Sequence, residues 1–350
     1  MRICQVMTQL EPGGAQRVAI QLTRGLQDRG HHVTCLALYD KSLTDTEGVT
    51  VSTLRTRRTG AAGLPGLVVD LRRIMRHECD VFVGHGRYAN VIGALGALLA
   101  GVPIRVAVQH SRLTKPRGLV QHLDAWWGTL GVFTHVVSVG QAAADSGGSR
   151  SKRYRRHLSV ITNGVGLPAP GLSRSEVRAE LGVPDDALVA VHIGRWSAAK
   201  NQLTVLEMAA RVPQVHFVLA GPMQPACDHS TNVTMVGALD RVALSSLMHA
   251  ADVMICPSRN EAMPLVLLEG LSTGLAVVAS DIPPHREILG STAQCPAPTD
   301  VAKWAERLTA LSADPAQVMS ERLRATRLAA AYSLDRMVDD YDDLIRRAYQ

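Results

Sequence analysis

Short apolar runs alternate with amphipathic helical stretches along most of this 350-residue chain. Such alternation is typical of βαβ units, in which helices cover the faces of a parallel sheet. One series of apolar runs comprises residues 3–7, 32–38, 81–84, 104–109, 135–139 and 158–161. A second series comprises residues 188–193, 216–220, 233–236, 253–256 and 276–279. The pattern predicts an α/β fold with two Rossmann-like, doubly wound parallel sheets.

A proline-containing segment at residues 168–171 lies between the two series and predicts a linker. The length of the chain also suits two domains. We predict a first domain over residues 1–167 and a second over residues 168–332. Two such sheets would face each other across a cleft, and ligands of doubly wound sheets bind at the carboxyl ends of the strands. Functional residues are therefore expected just after the strands.

Composition narrows the classes of ligand. The hydrophobic content of 46% supports a core in each domain, and a net charge of +6 suits anionic ligands. Aromatic residues make up 4% of the chain and form no base-stacking platform, which argues against nucleic acid. Six cysteines stand singly, as in a reduced cytosolic protein.

The sequence predicts neither a membrane span nor a signal peptide. The longest apolar run, residues 91–102, is too short to span a bilayer, and the first residues do not resemble a signal peptide.

Two glutamates, Glu261 and Glu269, stand eight positions apart around an apolar run. The spacing predicts a carboxylate in a loop, a helix that begins with Pro264, and a second carboxylate just over one turn inside that helix. The N–H groups of Leu265 and Val266 would then point outward at an anion, because first-turn N–H groups have no partner inside the helix. Carboxylates accept hydrogen bonds from hydroxyl groups. The motif therefore predicts a site for a sugar attached to phosphate.

Two cations follow the predicted strand at residues 188–193. Arg195 and Lys200 stand five positions apart in a glycine-containing segment that leads into a predicted helix. Side-chain cations beside a helix N-terminus favour a diphosphate. A basic helix cap exposed to water is the alternative interpretation.

Several residues of the first predicted domain also follow strands. Gly13 and Gly14 open a helix after the first strand, where the backbone can approach a ligand closely, although a tight turn without a ligand would explain them too. His85 and Arg87 follow one later strand and are assigned to the acceptor side. His110 follows the next strand and is expected at the cleft. A structural role is the ordinary alternative for both histidines.

The segment from Ser258 to Pro283 resembles the family-4 retaining glycosyltransferases of the GT-B fold. The resemblance depends on residues 257–258, on Glu261 to Glu269 with Met263-Pro264-Leu265 between them, and on residues 280–283. The Gly-Arg-x4-Lys pattern at residues 194–200 and the Asn-Gly-Val turn at residues 163–165 extend it. The chain departs from the family pattern at Gly166, Ala262 and Ala276, which bears on the finer donor preference.

The resemblance implies roles for the residues already named. Glu269 would bind the ribose hydroxyls, Glu261 the hexose hydroxyls, and Arg195 with Lys200 the pyrophosphate. His110 would contact the transferred sugar and, with Glu261, Arg195 and Lys200, make up the catalytic set. The remaining donor-binding residues are Gly14, Met263, Pro264, Leu265 and Val266, and the acceptor-binding residues are Gly13, His85 and Arg87. A last helix over residues 333–350 would pack back on the first domain, as the last helix of the family does.

The implied activity is metal-independent transfer of a hexose or N-acetylhexosamine, with retention, from a nucleotide diphosphate sugar to an acceptor hydroxyl. UDP is the commonest donor nucleotide of the family, and the acceptor could be a small molecule, a lipid or a glycan in glycan, glycolipid or natural-product biosynthesis. A nucleotide-sugar epimerase, an inverting transferase and a non-catalytic sugar-nucleotide-binding partner are the alternatives. We predict no cofactor, because the prominent Asp-x-Asp pair, Asp340 and Asp342, lies on a predicted amphipathic helix and is interpreted as a solvated face.

A basic segment at residues 150–157 leaves three interpretations open. It could be a solvated loop, a contact for an anionic acceptor, or a patch that binds a membrane surface. No long amphipathic anchor accompanies the segment. We therefore expect a bacterial cytoplasmic protein, with peripheral contact at the inner membrane face left open.

Overall fold

A computed structural model of the chain describes residues 1–11, 13–40, 46–55, 63–184, 186–222, 227–290 and 295–350. The chain forms two compact units. The N-terminal unit consists of Met1–Gly164 and Leu334–Gln350, and the C-terminal unit consists of Val165–Ser333. The first boundary lies at residue 164, where the sequence predicted 167.

The described part of the N-terminal unit contains a sheet of parallel strands. These are β1 (Arg2–Gln9), β2 (His32–Tyr39), β3 (Val51–Arg55), β4 (Val81–His85), β5 (Ile104–Gln109), β6 (His135–Ser138) and β7 (Leu158–Val160). Their order is β3-β2-β1-β4-β5-β6-β7. The connecting helices are α1 (Gly14–Asp28), α2 (Leu64–Met75), α3 (Arg87–Ala100), α4 (Leu119–Leu130), α5 (Gln141–Asp145) and α6 (Lys152–Arg156). Strand order reverses between β1 and β4, so ligands are expected at the carboxyl ends of those two strands.

The described part of the C-terminal unit contains a second parallel sheet. Its strands are β8 (Leu188–Ile193), β9 (Val215–Ala220), β10 (Val233–Gly237), β11 (Val253–Cys256) and β12 (Ala276–Ala279). Their order is β10-β9-β8-β11-β12, with the reversal between β8 and β11. The helices are α7 (Arg174–Leu181), α8 (Gln202–Arg211), α9 (Arg241–Ala250), α10 (Leu265–Ser272), α11 (Pro283–Leu289), α12 (Val301–Ala313) and α13 (Pro315–Ala329). The predicted α/β class with two parallel sheets is confirmed.

The last helix, α14 (Leu334–Tyr349), lies on the N-terminal unit and packs against α1. Its buried face includes Val338, which lies so close to Gly25 of α1 that a Cβ at residue 25 would collide with it. Asp342, one of the two acids of the Asp-x-Asp pair, accepts a hydrogen bond from Nε2 of His31 at 2.8 Å. The acid therefore helps to fix α14 on this unit.

The segment predicted as a linker is attached to the C-terminal unit. The hydroxyl of Ser245 in α9 donates to the carbonyl of Pro168 at 2.7 Å, and the N–H of Gly171 donates to the hydroxyl of Ser246 at 2.9 Å. The prediction of a linker at residues 168–171 was wrong, because prolines and glycine mark irregular backbone here without freeing it from the domain. In the described part of the chain, no helix has the length and apolar composition needed to cross a membrane.

Candidate functional site

The loop after β8 carries the two cations predicted to bind pyrophosphate. Gly194 begins this loop, and its N–H donates to the carbonyl of Ala220 at the end of β9 at 2.8 Å. The residue after Ala220 is Gly221, which has a φ of +143°, and a Cβ there would collide with the carbonyl of Gly194. The close approach of the β8 and β9 loops therefore requires glycine at residue 221. Arg195, which follows Gly194, is exposed.

Lys200 and Glu261 form an ion pair at the carboxyl ends of the neighbouring strands β8 and β11. Nζ of Lys200 lies 2.7 Å from Oε1 of Glu261, and the two side chains are 24% and 14% exposed. Two residues predicted to bind different parts of the donor thus contact each other. An ammonium has three N–H groups, so the bond to Glu261 leaves two for other acceptors. The pair can therefore offer donors to a phosphate and, through the carboxylate, acceptors to hydroxyl groups.

Asn201 fixes the loop of Lys200 against the loop of Glu261. Its Nδ2 donates to the carbonyls of Pro257 and Pro298 at 3.1 and 2.7 Å, and its Oδ1 accepts from Nε of Arg259 at 3.1 Å. Asn201 has a φ of 62°, a left-handed conformation that asparagine adopts more readily than most residues. The ion pair therefore lies between two loops held by side-chain hydrogen bonds.

The apolar run after Glu261 forms the start of α10. The helix begins at Leu265, with Pro264 as its N-cap at φ −77° and ψ 101°. The prediction that Pro264 lies in the first helical turn was therefore wrong by one residue. The buried Met263 before it can contribute only backbone groups to a ligand. The N–H groups of Leu265 and Val266 belong to the first turn and have no partner inside the helix.

Glu269 lies in α10 and is almost fully buried. Its Oε1 is 3.7 Å from Nη1 of Arg241, the first residue of α9. The other terminal nitrogen of Arg241 donates to the carbonyl of Gly166 at 2.5 Å. The sequence analysis missed Arg241, which lies between β10 and α9 without a partner cation at the spacing that identified Lys200. Glu269 is thus held beside a cation within the C-terminal unit.

Two buried histidines accompany the Lys200–Glu261 pair. Nδ1 of His192 lies 3.0 Å from the carbonyl of Ile255, and Nδ1 of His285 lies 2.9 Å from that of Ser280. Burial lowers the pKa of each histidine to about 4, although the hydrogen bond of each ring to its backbone carbonyl opposes the shift. Both rings are therefore neutral near pH 7, with Nδ1 as donor. Neither histidine was singled out from the sequence.

The predicted glycines open α1 in the N-terminal unit. Gly13 is the N-cap and Gly14 the first helical residue, and both are exposed. A Cβ at Gly13 would lie 2.7 Å from Oε1 of Gln16, whose Nε2 donates to the carbonyl of Gln9 at 3.2 Å. The first-turn N–H groups of this 15-residue helix are directed at the carboxyl end of β1. This position can accept an anion or a hydroxyl oxygen.

His85 and His110 lie together at the carboxyl ends of β4 and β5. Nδ1 of His85 is 3.1 Å from Nε2 of His110, and Nε2 of His85 is 2.6 Å from Oε1 of Gln5 in β1. His85 is only 2% exposed and both of its ring nitrogens are engaged. The assignment of His85 to direct acceptor contact therefore does not fit, because no ring nitrogen remains for an acceptor. His110 is less buried and lies at the edge, as expected for a residue that follows a strand.

Arg87 is the first residue of α3 and is half-buried. One terminal nitrogen of its guanidinium donates to the carbonyl of Arg112 at 2.7 Å. Its side chain therefore stays near the carboxyl end of β4, where the sequence analysis placed an acceptor contact. Across the described ranges, no group of three or more His, Cys, Asp or Glu side chains is arranged to hold a metal ion.

Two family models match this chain. The model for "Glycosyltransferase Family 4" matches residues 12–167, and the model for "Glycosyl transferases group 1" matches residues 173–328. Among curated relatives, the D-inositol 3-phosphate glycosyltransferase of Mycobacterium avium (strain 104) is 31% identical over 210 residues, which cover 55% of this chain and 49% of the relative. The chain thus spans about half the length of curated relatives of this kind. The UDP-Gal:alpha-D-GlcNAc-diphosphoundecaprenol alpha-1,3-galactosyltransferase of Escherichia coli is 26% identical over 299 residues, 77% of this chain and 76% of the relative.

Solved structures share the fold. The crystal structure of Anabaena HepE in complex with UDP and glucose superposes with a TM-score of 0.81 at 18% identity, covering 99% of this chain and 100% of that one. The structure of WaaG, a glycosyltransferase involved in lipopolysaccharide biosynthesis, superposes with a TM-score of 0.72 at 16% identity, covering 98% and 99%. At these identities the likeness shows the fold alone, and the predicted GT-B fold is confirmed.

Proposed function

Because this chain belongs to the family-4 glycosyltransferases, also described as glycosyl transferases group 1, we propose that it transfers a hexose or N-acetylhexosamine, with retention, from a nucleotide diphosphate sugar to an acceptor hydroxyl. UDP is the proposed donor nucleotide. The observation that carries the proposal is the ion pair between Lys200 and Glu261 at the reversal of strand order in the C-terminal unit. The pair combines, at one point, a donor for phosphate and an acceptor for sugar hydroxyls.

The proposed reaction depends on stabilising the departing diphosphate. The ammonium of Lys200, the guanidinium of Arg195 and the first-turn N–H groups of α10 would hold its oxygens, and such donors act most strongly in a site that excludes water. Glu261 would orient the sugar through its hydroxyls, and Glu269 the ribose. For retention, the acceptor oxygen attacks the anomeric carbon from the face that the diphosphate leaves. The departing phosphate oxygen then takes the acceptor proton, so no enzyme nucleophile is required.

The test is a panel of nucleotide sugars read by isothermal titration and by release of the free nucleotide. We expect one diphosphate sugar to bind and to be slowly hydrolysed without acceptor. Lys200→Met should weaken both signals strongly, whereas Lys303→Met should leave them unchanged, because Lys303 is an exposed lysine 3.7 Å from Asp300. An epimer formed from the sugar nucleotide alone would refute transfer, and binding without any turnover would indicate a non-catalytic partner. The anomeric configuration of the transferred product, read by NMR, tests retention.

We also propose that the N-terminal unit contacts an anionic membrane surface through α4 and α6. In α4, the large apolar side chains Leu119, Trp126 and Leu130 are 75%, 60% and 63% exposed. The only acid of α4 is Asp124, which is fully buried. A hydroxyl contact of 2.9 Å joins Thr129 of α4 to the residue before α6. The exposed residues of α6 are all basic, namely Lys152, Arg153, Arg155 and Arg156.

Such a surface combines apolar side chains that can enter the headgroup region with cations that attract anionic lipids. Cosedimentation with vesicles of phosphatidylcholine, with and without phosphatidylglycerol, tests this contact. Binding should require the anionic lipid and weaken at high salt, and Trp126→Ser should weaken it further. Leu203→Ser removes an equally exposed leucine from the C-terminal unit and serves as the matched control. Equal sedimentation of wild type and Trp126→Ser would refute the contact.

A further inference from the structure

A line of side-chain hydrogen bonds runs from α1 through β1 and β4 to His110. The hydroxyl of Thr23 donates to the carbonyl of Ala19 at 2.9 Å, and Nε2 of Gln5 lies 3.0 Å from that hydroxyl. Oε1 of Gln5 lies 2.6 Å from Nε2 of His85, and Nδ1 of His85 lies 3.1 Å from Nε2 of His110. Thr23, Gln5 and His85 are buried. The line therefore connects the protein interior with His110, which is less buried and lies at the carboxyl end of β5.

The chemistry of the groups gives the line a direction. A hydroxyl has one hydrogen, and Thr23 gives it to the carbonyl of Ala19, so its oxygen accepts from Gln5. The amide nitrogen of Gln5 therefore faces Thr23, and its carbonyl oxygen faces His85. A carbonyl oxygen cannot donate, so Nε2 of His85 must carry a hydrogen.

The two imidazole rings extend the same direction. Burial, and secondarily the charge of His110, keeps the pKa of His85 well below its usual range. Burial also lowers the pKa of His110 to about 4. Both rings are therefore neutral near pH 7, and a neutral ring with hydrogen on Nε2 accepts at Nδ1. Nδ1 of His85 thus accepts from Nε2 of His110, which leaves Nδ1 of His110 as an acceptor.

We propose that Thr23, Gln5 and His85 are positioning residues that hold His110 in its Nε2–H tautomer, so that Nδ1 accepts a hydrogen bond from a sugar hydroxyl. The identity of the ligand as a sugar rests on the proposed function. The tautomer is inferred from the hydrogen bonds within this chain alone. If the amide of Gln5 were reversed, every donor along the line would reverse and Nδ1 of His110 would carry hydrogen. The hydroxyl of Thr23 is therefore the group that sets which face of His110 the ligand meets.

The tautomer can be measured without any ligand. The full chain, labelled with 15N-histidine, is studied at neutral pH by two-bond proton–nitrogen correlation, which distinguishes protonated from unprotonated ring nitrogens. The His110 signals are assigned by their loss in His110→Gln. We expect hydrogen on Nε2 and none on Nδ1. Hydrogen on Nδ1, or a charged ring, in the wild-type protein would overturn the proposal.

Variants of the line supply the second test. Gln5→Met removes the acceptor for His85 and should mix the tautomers of His110, whereas Gln5→Glu retains an acceptor and should preserve the wild-type tautomer. Thr23→Val frees the amide of Gln5 to reverse, and Thr23→Ser should restore the original state. Thr129→Val is the matched control, because its hydroxyl also donates to a carbonyl four residues earlier, that of Ala125 at 2.7 Å. It should leave His110 unchanged.

Turnover connects the tautomer to the reaction. In Gln5→Met and Thr23→Val we expect kcat for donor hydrolysis to fall roughly two- to tenfold, because only part of the enzyme carries the competent tautomer. KM for the sugar nucleotide should stay within about twofold, since the pyrophosphate contacts are unaltered. A shifted tautomer with unchanged kcat would overturn the positioning role. If the chain processed no sugar nucleotide at all, the proposed function would fail while the ligand-free NMR result would still decide the tautomer.

Discussion

Because Lys200 and Glu261 form an ion pair, substituting one or the other should have opposite effects on the affinity for UDP. In the ligand-free chain, Nζ of Lys200 is 2.7 Å from Oε1 of Glu261 and both side chains are partly buried. A bound pyrophosphate must share this ammonium with the carboxylate. Removing the carboxylate should therefore make Lys200 more available to phosphate, while it removes an acceptor from the sugar.

The magnitudes depend on the energy of charge-assisted hydrogen bonds. Lys200→Met removes one such bond to the pyrophosphate, worth about 1.5–3 kcal/mol, so the affinity for UDP should fall about 10- to 100-fold. Glu261→Gln keeps the shape and removes the competing charge, so the affinity for UDP should stay the same or rise by up to about tenfold. The ratio of the affinity for UDP-sugar to the affinity for UDP should fall about tenfold in the same variant, because an amide oxygen accepts a hydrogen bond less strongly than a carboxylate.

Isothermal titration of UDP and of the UDP-sugar from the donor panel measures these affinities. The double variant Lys200→Met/Glu261→Gln completes the cycle, because Lys200→Met alone leaves a partly buried carboxylate without its partner. Lys303→Met again serves as the surface control. If Glu261→Gln weakened UDP and UDP-sugar equally, the carboxylate would act only by holding Lys200, and its assignment to the sugar would be refuted.

Three further predictions concern stability. Asn201→Ala should lower the free energy of unfolding by about 2–4 kcal/mol, because it removes three hydrogen bonds and places alanine at φ 62°. Asn201→Gly should recover about 1 kcal/mol of this loss, because glycine adopts that φ without strain. Gly221→Ala should destabilise the chain by at least about 2 kcal/mol in chemical denaturation, since its Cβ would meet a carbonyl rather than a mobile side chain. His285 is buried and neutral, and its pKa is lowered from 6.5 to about 4. Between these two pH values the unfolded chain therefore binds more protons than the native chain. The contribution of neutral His285 to the free energy of unfolding is full above pH 6.5 and falls, by up to roughly 3 kcal/mol, as the pH drops to 4. The thermal midpoint of His285→Gln should therefore depend less on pH over that interval, and an unchanged pH dependence would contradict the argument.

The fold was predictable where strands are central and apolar. Strands β5, β8 and β11 match their predicted bounds, since buried parallel strands are continuous apolar runs. The strand β3 was missed because it pairs only with β2, and its exposed residues leave the short segment Val51–Arg55 without an apolar pattern. Two predictions based on proline were wrong, namely the linker at residues 168–171 and the first residue of α10. Proline restricts the backbone locally and does not fix where the next helix begins.

The contacts within the candidate site could not be predicted from the sequence, although local patterns selected the residues that form them. Lys200 and Glu261 were each predicted as site residues from a local pattern, yet they are 61 positions apart and their pairing depends on β8 and β11 being neighbours. Arg241 was missed because one arginine among 37 basic residues has no distinctive spacing. Gln5 did carry a signal, because it places an amide within an apolar central strand, and a buried amide must be hydrogen-bonded.

Asn201 explains why the Lys200–Glu261 pair can serve as a preformed site. Holding two flexible side chains in one geometry costs conformational entropy, which is why exposed ion pairs contribute little. Here the backbone on both sides is already fixed: the N–H of Arg259 donates to the carbonyl of Ala199 at 2.8 Å, and Asn201 bonds to both loops. The strained φ of Asn201 persists only because these bonds over-determine it. The fold therefore orders the loops before a ligand arrives, so the energy of phosphate and hydroxyl binding need not be spent on ordering them.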